Sequence, residues 1–250
     1  MSANDLVRAV VNNELIAQDG NHNRWMYRVN REEQGTTTTR EVVQAVEGSL
    51  DRVVAIDGRA LNPREQWQEK QRIASFIKNP VEQQRVEQTK RKDAEQCRAF
   101  FKMFPNALIF SYAGQEGDLI KLNYRPNPGF QPPTREARVF HDMEGEMWVH
   151  AAQRRLVRIR GQLTEDVKFA GGLLGHLEKG GHFEVQQREL SPGQWSLTFM
   201  EVEMKGKALF FKTIAVKQKE HRTDFRPVPK TLTLAEAAGM LTSDVLLAKR

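Results

Sequence analysis

Residues 182–203, HFEVQQRELSPGQWSLTFMEVE, contain two strand-like runs on either side of a short turn. The runs are His182–Leu190 and Trp195–Glu203, and the Ser-Pro-Gly-Gln tetrapeptide between them is typical of a hairpin turn. This spacing, without a helix between the runs, predicts two neighbouring antiparallel strands. The fold class depends on how often the same pattern recurs in the rest of the chain.

Similar runs, bounded by Gly, Pro or Asp, occur on both sides of this hairpin. Near the N-terminus they show a period of two, because Trp25, Tyr27 and Val29 alternate with polar residues. The predicted strands are Asn23–Arg31, Thr36–Glu47, Leu50–Ile56, Ala107–Tyr112, Leu119–Tyr124, Arg135–His141, Glu146–His150, Leu156–Arg160, Leu163–Phe169 and Ala208–Lys219, with a turn at Asp142–Gly145. Their regular spacing indicates an antiparallel meander and disfavours parallel βαβ units.

Helical patterns interrupt the strands at three places before the meander ends. Residues 3–17 are amphipathic, and Pro63 suits the first turn of a helix that stops before Pro80. A helix over 81–104 is highly charged at first and apolar at its end, which predicts that only its end docks. The expected organisation is one domain over 1–250, with a helical insertion at about 63–104 and a short C-terminal helix at about 233–241.

The composition excludes several classes of protein. Apolar residues make up 39% and charged residues 28%, which is too polar for a membrane protein and too apolar for a disordered one. The net charge of +6 is spread evenly along the chain and gives only weak support to nucleic-acid binding. Cys97 is the only cysteine, which excludes a disulfide framework, and its position beside Phe100 and Phe101 predicts a buried side chain.

The first twenty residues do not form a signal peptide, because Arg8 and Glu14 interrupt the short apolar runs. No run approaches the roughly 20 apolar residues that a membrane-spanning helix needs. The sequence is therefore compatible with a cytosolic protein or with an exported one whose signal has been removed.

Motifs of catalysis and metal binding are missing. The six histidines match no short metal spacing, and neither Gly-x-Ser-x-Gly nor His-Glu-x-x-His occurs. The glycine-rich stretch 169–175 lacks the Gly-Lys-Ser/Thr ending of a phosphate loop. Three leucines lie in or just after this stretch: Leu173, Leu174 and Leu177. They belong either to a functional loop, which is a lid or a membrane-touching tip, or to an ordinary packed loop. We expect no metal, no cofactor and no enzymatic activity.

Arginines crowd one predicted hairpin. Arg158 and Arg160 point to the same face of a strand, with Val157 and Ile159 on the other, and Arg154 and Arg155 precede them. The four form a basic face, which is either a solvated outer surface or an anion site.

An apolar face of the sheet needs a cover that only the helices can provide. If that cover is incomplete, an apolar cavity remains and binds an apolar ligand, whereas complete cover gives a packed core. The candidate lining residues are Trp25, Tyr27, Phe110, Phe140, Trp148, Phe169, Phe183, Trp195, Leu197, Phe199, Phe210 and Ile214.

The order of elements resembles the bacterial lipoprotein-carrier superfamily, that is, LolA/LolB-like outer-membrane lipoprotein-sorting proteins. The stretches that carry the resemblance are Met147–His150 with Arg160–Leu163, and Trp195–Phe199 with Lys207–Lys212. It implies an α+β fold that is mainly antiparallel β, an incomplete curved barrel (a half-barrel) whose concave face is covered by helices and holds acyl chains. It also implies a periplasmic protein without a cofactor, and hence a removed signal.

The expected function is non-enzymatic binding and carriage of lipid or lipoprotein acyl chains, with a sliding helix or the 170–181 loop as the lid. The expected partners are a lipid or acylated lipoprotein and envelope proteins, with peripheral membrane contact, a monomeric state and no nucleic acid. One alternative is a structural or sensor module of the cell envelope that binds a protein partner through an edge strand or the basic face. Another is a hydrolase with its site in a barrel mouth.

Overall fold

The computed structural model describes residues 1–20, 23–168, 175–208 and 217–243. Contacts divide the chain into two compact units. Unit 1 comprises Met1–Asn21 and Glu95–Lys219, and unit 2 comprises His22–Ala94 and Glu220–Arg250. The expectation of one domain over 1–250 stays a prediction, and most of the predicted strand 208–219 lies outside the described residues.

The described elements follow the predicted order closely. The helices are α1 Ala3–Gly20, α2 Pro63–Ile77, α3 Pro80–Ala107, the 3-10 helix η1 Glu136–Asp142 and α4 Leu234–Thr242. The strands are β1 Arg24–Glu33, β2 Thr36–Ala45, β3 Gly48–Ile56, β4 Arg59–Ala60, β5 Leu108–Glu116, β6 Leu119–Pro126, β7 Met143–His150, β8 Arg155–Leu163, β9 Val167–Lys168, β10 Gly175–Leu177, β11 His182–Ser191, β12 Gln194–Glu203, β13 Gly206–Ala208 and β14 Lys217–Val228.

Six strands of unit 1 are arranged in the order β12-β11-β8-β7-β6-β5. All neighbours in this order for which the register is described are antiparallel. A separate three-stranded sheet has the order β13-β10-β9. Helix α1 packs against β5 and β8, and the end of α3 joins the same apolar core.

Unit 2 has the strand order β4-β3-β2-β1-β14. Its core contains Met26, Val43 and Leu50 from the strands, with Ile73 of α2 and Leu241 of α4. Both helices begin at a capping box, in which the cap side chain and a glutamate three residues later each accept a backbone hydrogen bond. This capping satisfies backbone donors that a helix start otherwise leaves unpaired.

The α+β class with mainly antiparallel strands is confirmed, and the described strand order is open rather than closed into a barrel. The helices of the 63–104 region and the C-terminal helix occur where they were predicted. Strand β14 extends to Val228, beyond the predicted end, through the polar stretch EHRTDFRP that carries no alternating apolar pattern.

Four local predictions are wrong. The predicted strands Leu156–Arg160 and Leu163–Phe169 are not separated at Gly161, because β8 runs through this glycine from Arg155 to Leu163. Arg135–His141 was expected to be a strand, with a turn at Asp142–Gly145, but the first is a 3-10 helix and β7 starts at Met143. Ala137 and Phe140, three residues apart, are both buried, which suits the three-residue repeat of a 3-10 helix. Cys97 is exposed, whereas Phe100 and Phe104 of the same helix pack in the unit 1 core.

Candidate functional site

The apolar layer of unit 1 lies between α1, the end of α3 and one face of the sheet. Helix α1 contributes Leu6, Val7, Val10 and Val11, whose spacing places them on one side of the helix. All four are at least nine-tenths buried. The layer is thus a packed apolar interface in which α1 and the end of α3 cover one face of the sheet.

An aromatic cluster closes the α3 end of this layer. The ring of Phe140 lies 4.3 Å from that of Phe100 in a stacked arrangement. Phe104 and Phe130 approach Phe140 edge-on, with ring centroids at 5.5 and 5.9 Å. These geometries are the ones that the quadrupoles of aromatic rings favour.

A buried ion pair fixes α1 to strand β8. The Glu14 carboxylate accepts hydrogen bonds from Arg155 Nε at 2.7 Å, from Arg155 Nη2 at 3.0 Å and from the Leu156 backbone N–H at 2.9 Å. Gln187 Nε2 donates a further bond at 3.2 Å. Among the described residues of unit 1, Glu14 and Arg155 are the only charged residues that are buried. We call this pair the α1 latch.

A polar network adjoins the latch. The Arg155 guanidinium lies 5.8 Å from the ring centroid of Trp195, and Trp195 Nε1 donates to Gln153 Oε1 at 2.8 Å. Gln153 Nε2 donates in turn to the Glu189 carboxylate. The pKa of Glu189 is lowered by the hydrogen bond from the Gly193 backbone N–H and then by the one from Gln153. The network joins β8, β11 and β12 around the end of α1.

The opposite face of the same sheet is polar. Trp148 lies there between Lys121 and Arg158, its cross-strand neighbours. Its ring centroid is 5.2 Å from Lys121 Nζ, 4.8 Å from Arg158 Cζ and 5.4 Å from Arg160 Cζ. These distances are within the range of cation–π attraction. We call this arrangement the Trp148 platform.

Carboxylates neutralise most of the charge around the platform. Glu146 pairs with Lys121 at 2.5 Å and with Arg160, and Glu184 pairs with Arg158 at 2.8 Å. An open cleft of about 760 Å³ lies beside them and is also lined by Arg125, His182 and Glu201. Ile109 and Phe183 line the cleft as well, so it offers both polar and apolar contacts.

The pKa of Glu146 is lowered by the hydrogen bond from Lys121 and, further, by Arg160, against a smaller opposing effect of burial. A carboxyl group whose pKa is lower in the folded state stabilises the fold above its unfolded pKa, near the ordinary value of 4.5. That stabilisation disappears as the pH falls from this value through the folded pKa. We therefore expect the melting temperature of the wild type to fall below about pH 4.5, and to fall less in Glu146→Gln. Thermal melts between pH 7 and 3 test this, and equal slopes for the two proteins would contradict it.

The twelve candidate cavity residues do not share one site. Phe110 and Phe140 belong to the packed core of unit 1, and Phe183 lies at its border. Trp148 and Phe199 lie on the polar face, since Trp148 alternates with the buried Met147 and Val149 and Phe199 contacts Lys219 at 5.6 Å. The expectation that these two line an apolar cavity is therefore wrong.

The remaining candidates fall elsewhere. Trp195 lies in the polar network, and Leu197 follows it on β12, opposite Gln187. Trp25 and Tyr27 belong to unit 2, where their rings contact Phe225 at 6.3 and 5.1 Å. Phe169, Phe210 and Ile214 lie outside the described residues.

The predicted lid and basic face are also revised. Leu173 and Leu174 lie outside the described residues, whereas Leu177 is buried in the unit 1 core, as the packed-loop alternative requires. Arg158 and Arg160 share a face as predicted. Arg155 is not part of a solvated face, because it is buried against Glu14, and Arg154 lies in the preceding turn with φ of 49°.

Sequence reasoning missed Glu14 as a site residue. A usable signal was present, because Glu14 continues the Leu6 and Val10 side of α1, where a charge is out of place unless it has a partner. The partner could not be identified, since Arg155 is 141 residues away.

Comparisons with known proteins do not assign the chain to a family. No family model, no curated protein and no solved structure matches the chain. Within the described ranges, no helix has the length and apolar character to cross a membrane, and no group of three or more His, Cys, Asp or Glu side chains is arranged to hold a metal ion.

Proposed function

We propose that the chain carries an acyl chain or a comparable apolar ligand, which enters unit 1 between the sheet and α1. The observation that supports this most directly is the way in which α1 covers the sheet. Beside the end of α3, the amphipathic helix α1 shields part of the apolar face of an open antiparallel sheet, and the latch fixes its C-terminal half. A helix with this arrangement can move as one body while the sheet stays intact.

The energetics are compatible with a long ligand that lies between the helix and the sheet. Lifting α1 exposes the apolar side chains of Leu6, Val7, Val10 and Val11, which costs roughly 1.5–3 kcal/mol per side chain. An acyl chain recovers about 0.8 kcal/mol for each CH₂ that it buries. About ten buried CH₂ groups therefore offset the opening, so a long acyl chain, and not a short one, fits the proposal.

The latch gives this movement a defined closed state. A buried carboxylate that loses its partner remains desolvated and unpaired, which is unfavourable unless water reaches it. Opening of α1 brings both Glu14 and Arg155 to water, so the helix is either fully docked or released. In this proposal α1 is the lid, and the protein is a monomeric, non-enzymatic carrier of the periplasm that needs no cofactor.

The half-barrel architecture is part of the same proposal. We place the ligand on the concave side of a curved, incomplete barrel, as the resemblance to lipoprotein carriers implies. An acylated lipoprotein and a free lipid present the same acyl chemistry, so both are candidate cargoes.

The experiment is mass spectrometry of purified protein, under native conditions and after organic extraction, followed by titration with a fluorescent long-chain fatty acid. We expect a co-purified lipid or stoichiometric uptake, which Val10→Asp reduces because Val10 is fully buried on the lid. Ile16→Asp is the matched control, because it adds the same charge to an exposed position of the same helix. Circular dichroism first establishes that both variants are folded.

Two outcomes would contradict the proposal. One is wild-type protein that carries no lipid and takes up none. The other is unchanged uptake by folded Val10→Asp. Either result would favour the alternative, a structural or sensor module that binds a protein partner, and the Trp148 platform with Arg158 and Arg160 would then be the first surface to test.

A further inference from the structure

The side chain of Asn4 lies along the edge of strand β5. Asn4 Nδ2 donates to the carbonyl oxygens of Pro105 and Leu108 at 2.8 and 2.9 Å. Asn4 Oδ1 accepts from the Phe110 backbone N–H at 3.0 Å. One amide group thus makes the pair of contacts, to Leu108 C=O and Phe110 N–H, that a neighbouring strand would make.

Strand β5 needs such a substitute because it ends the strand order. Its neighbour in the order is β6, so the backbone groups that point away from β6 have no strand partner within the described part of the chain. Unpaired edges of this kind are templates for pairing with another chain, and proteins usually block them with charges, proline or bulges.

The β5 edge has almost none of these charges. Residues 103–115 form thirteen consecutive positions without a charged side chain, in a protein that is 28% charged. Tyr112 is 52% exposed at the edge. A shift of register between Tyr112 and Gly114, where Gly114 has φ of 144°, interrupts the far end of the strand. The regular edge that remains is Leu108–Tyr112, and the Asn4 side chain is hydrogen-bonded to Leu108 and Phe110 within it.

The position of Asn4 in α1 allows its side chain to separate from the β5 edge. It lies in the first turn of α1, which Ser2 caps by accepting a hydrogen bond from the Asp5 backbone N–H at 3.1 Å. Met1 is 70% exposed, and its carbonyl oxygen accepts a hydrogen bond from Tyr112 Oη at 3.2 Å, which also breaks when the first turn withdraws. First turns of helices fray more readily than their centres. Withdrawal of Asn4 leaves the Leu108 C=O and the Phe110 N–H open to a strand from outside.

We propose that the β5 edge is a self-association surface, which a second copy of this chain occupies when Asn4 withdraws. The two copies of β5 pair antiparallel about a two-fold axis, with Phe110 opposite Phe110 and Leu108 opposite Tyr112. A second copy fits because both edges carry the same uncharged segment, so no like charges oppose each other. In this proposal the Asn4 side chain blocks the edge and so keeps the chain monomeric. The inference goes beyond the proposed function and does not depend on lipid binding.

The test is the molar mass of purified Asn4→Ala by light scattering after gel filtration, over a hundredfold range of concentration. We expect the wild type to keep the mass of one chain, 28.7 kDa, and Asn4→Ala to approach twice that mass at high concentration. Asn13→Ala is the matched control, because Asn13 is on the same helix but donates to the carbonyls of Gln153 and Arg154. It is expected to stay monomeric.

The double variant Asn4→Ala/Tyr112→Lys locates the surface. A lysine on the edge brings like charges close in the dimer, so this variant is expected to return to one chain mass. A folded Asn4→Ala protein that stays monomeric at every concentration would overturn the proposal, as would a dimer that Tyr112→Lys leaves unchanged. If Asn4→Ala does not fold, Asn4→Ser, which keeps a short polar side chain, is subjected to the same two comparisons.

Discussion

Replacement of Glu14 by alanine is expected to lower the free energy of unfolding by about 3–5 kcal/mol, because it leaves a buried arginine without its partner. Glu14 and Arg155 are 4% and 9% exposed, so water does not replace the lost carboxylate in the closed state. The Leu156 backbone N–H also loses its acceptor. Urea unfolding followed by circular dichroism measures the change.

The same helix offers a matched control. Asp19 pairs with Arg98 at 2.6 Å, but Asp19 is exposed and its charge is screened by water, so Asp19→Ala is expected to change stability far less than Glu14→Ala. The double variant Glu14→Leu/Arg155→Met removes both charges and replaces them with apolar side chains. Such a replacement is often neutral, so it is expected to recover most of the loss. A Glu14→Ala protein as stable as Asp19→Ala would show that the latch is not a stabilising contact.

Gly145→Ala is expected to destabilise the protein by about 3 kcal/mol, the upper part of the usual range for overpacking. Gly145 and Gly161 are paired across β7 and β8. A Cβ atom at Gly145 would lie 2.0 Å from the Arg160 carbonyl oxygen and 2.6 Å from Tyr124 Oη. The carbonyl is part of the sheet backbone and cannot move without disturbing the ladder. Chemical unfolding of the variant measures the effect.

Two comparisons separate overpacking from a general effect of replacing glycine. Gly129→Ala places its Cβ at an ordinary 3.5 Å from the nearest atom and is expected to change stability by less than about 1 kcal/mol. At Gly161 the closest atom is Tyr124 Oη, at 2.2 Å, so Tyr124→Phe is expected to relieve part of the cost of Gly161→Ala. Additive effects of these two substitutions would contradict this explanation.

The strands with a clear alternating pattern were predictable, and positions that depend on a distant partner were not. The hairpin over 182–203 and β1 have their turn or alternation within one short segment. Gly161 was interpreted as the end of a strand, because a lone glycine usually marks a boundary. Gly161 instead leaves room for the Tyr124 side chain, whose hydroxyl lies over it and donates to the Arg160 carbonyl at 2.8 Å. No local pattern contains that contact.

The candidate site was predicted only in part, for a similar reason. Met147, Trp148 and Val149 are consecutive apolar residues, so the sequence does not decide which face of β7 meets the core. The structure places Met147 and Val149 inside and Trp148 among cations. By contrast, Arg158 and Arg160 have apolar residues between and before them, and their shared face was predicted correctly.

The latch also has a consequence for biosynthesis. Glu14 emerges from the ribosome 141 residues before Arg155. At translation rates of about 5–20 residues per second, the apolar side of α1 waits roughly 7–28 s for the strand that completes its docking site. During that interval the nascent chain exposes the apolar side of α1 and lacks the strand against which it packs. A chaperone that binds apolar segments has its clearest opportunity then.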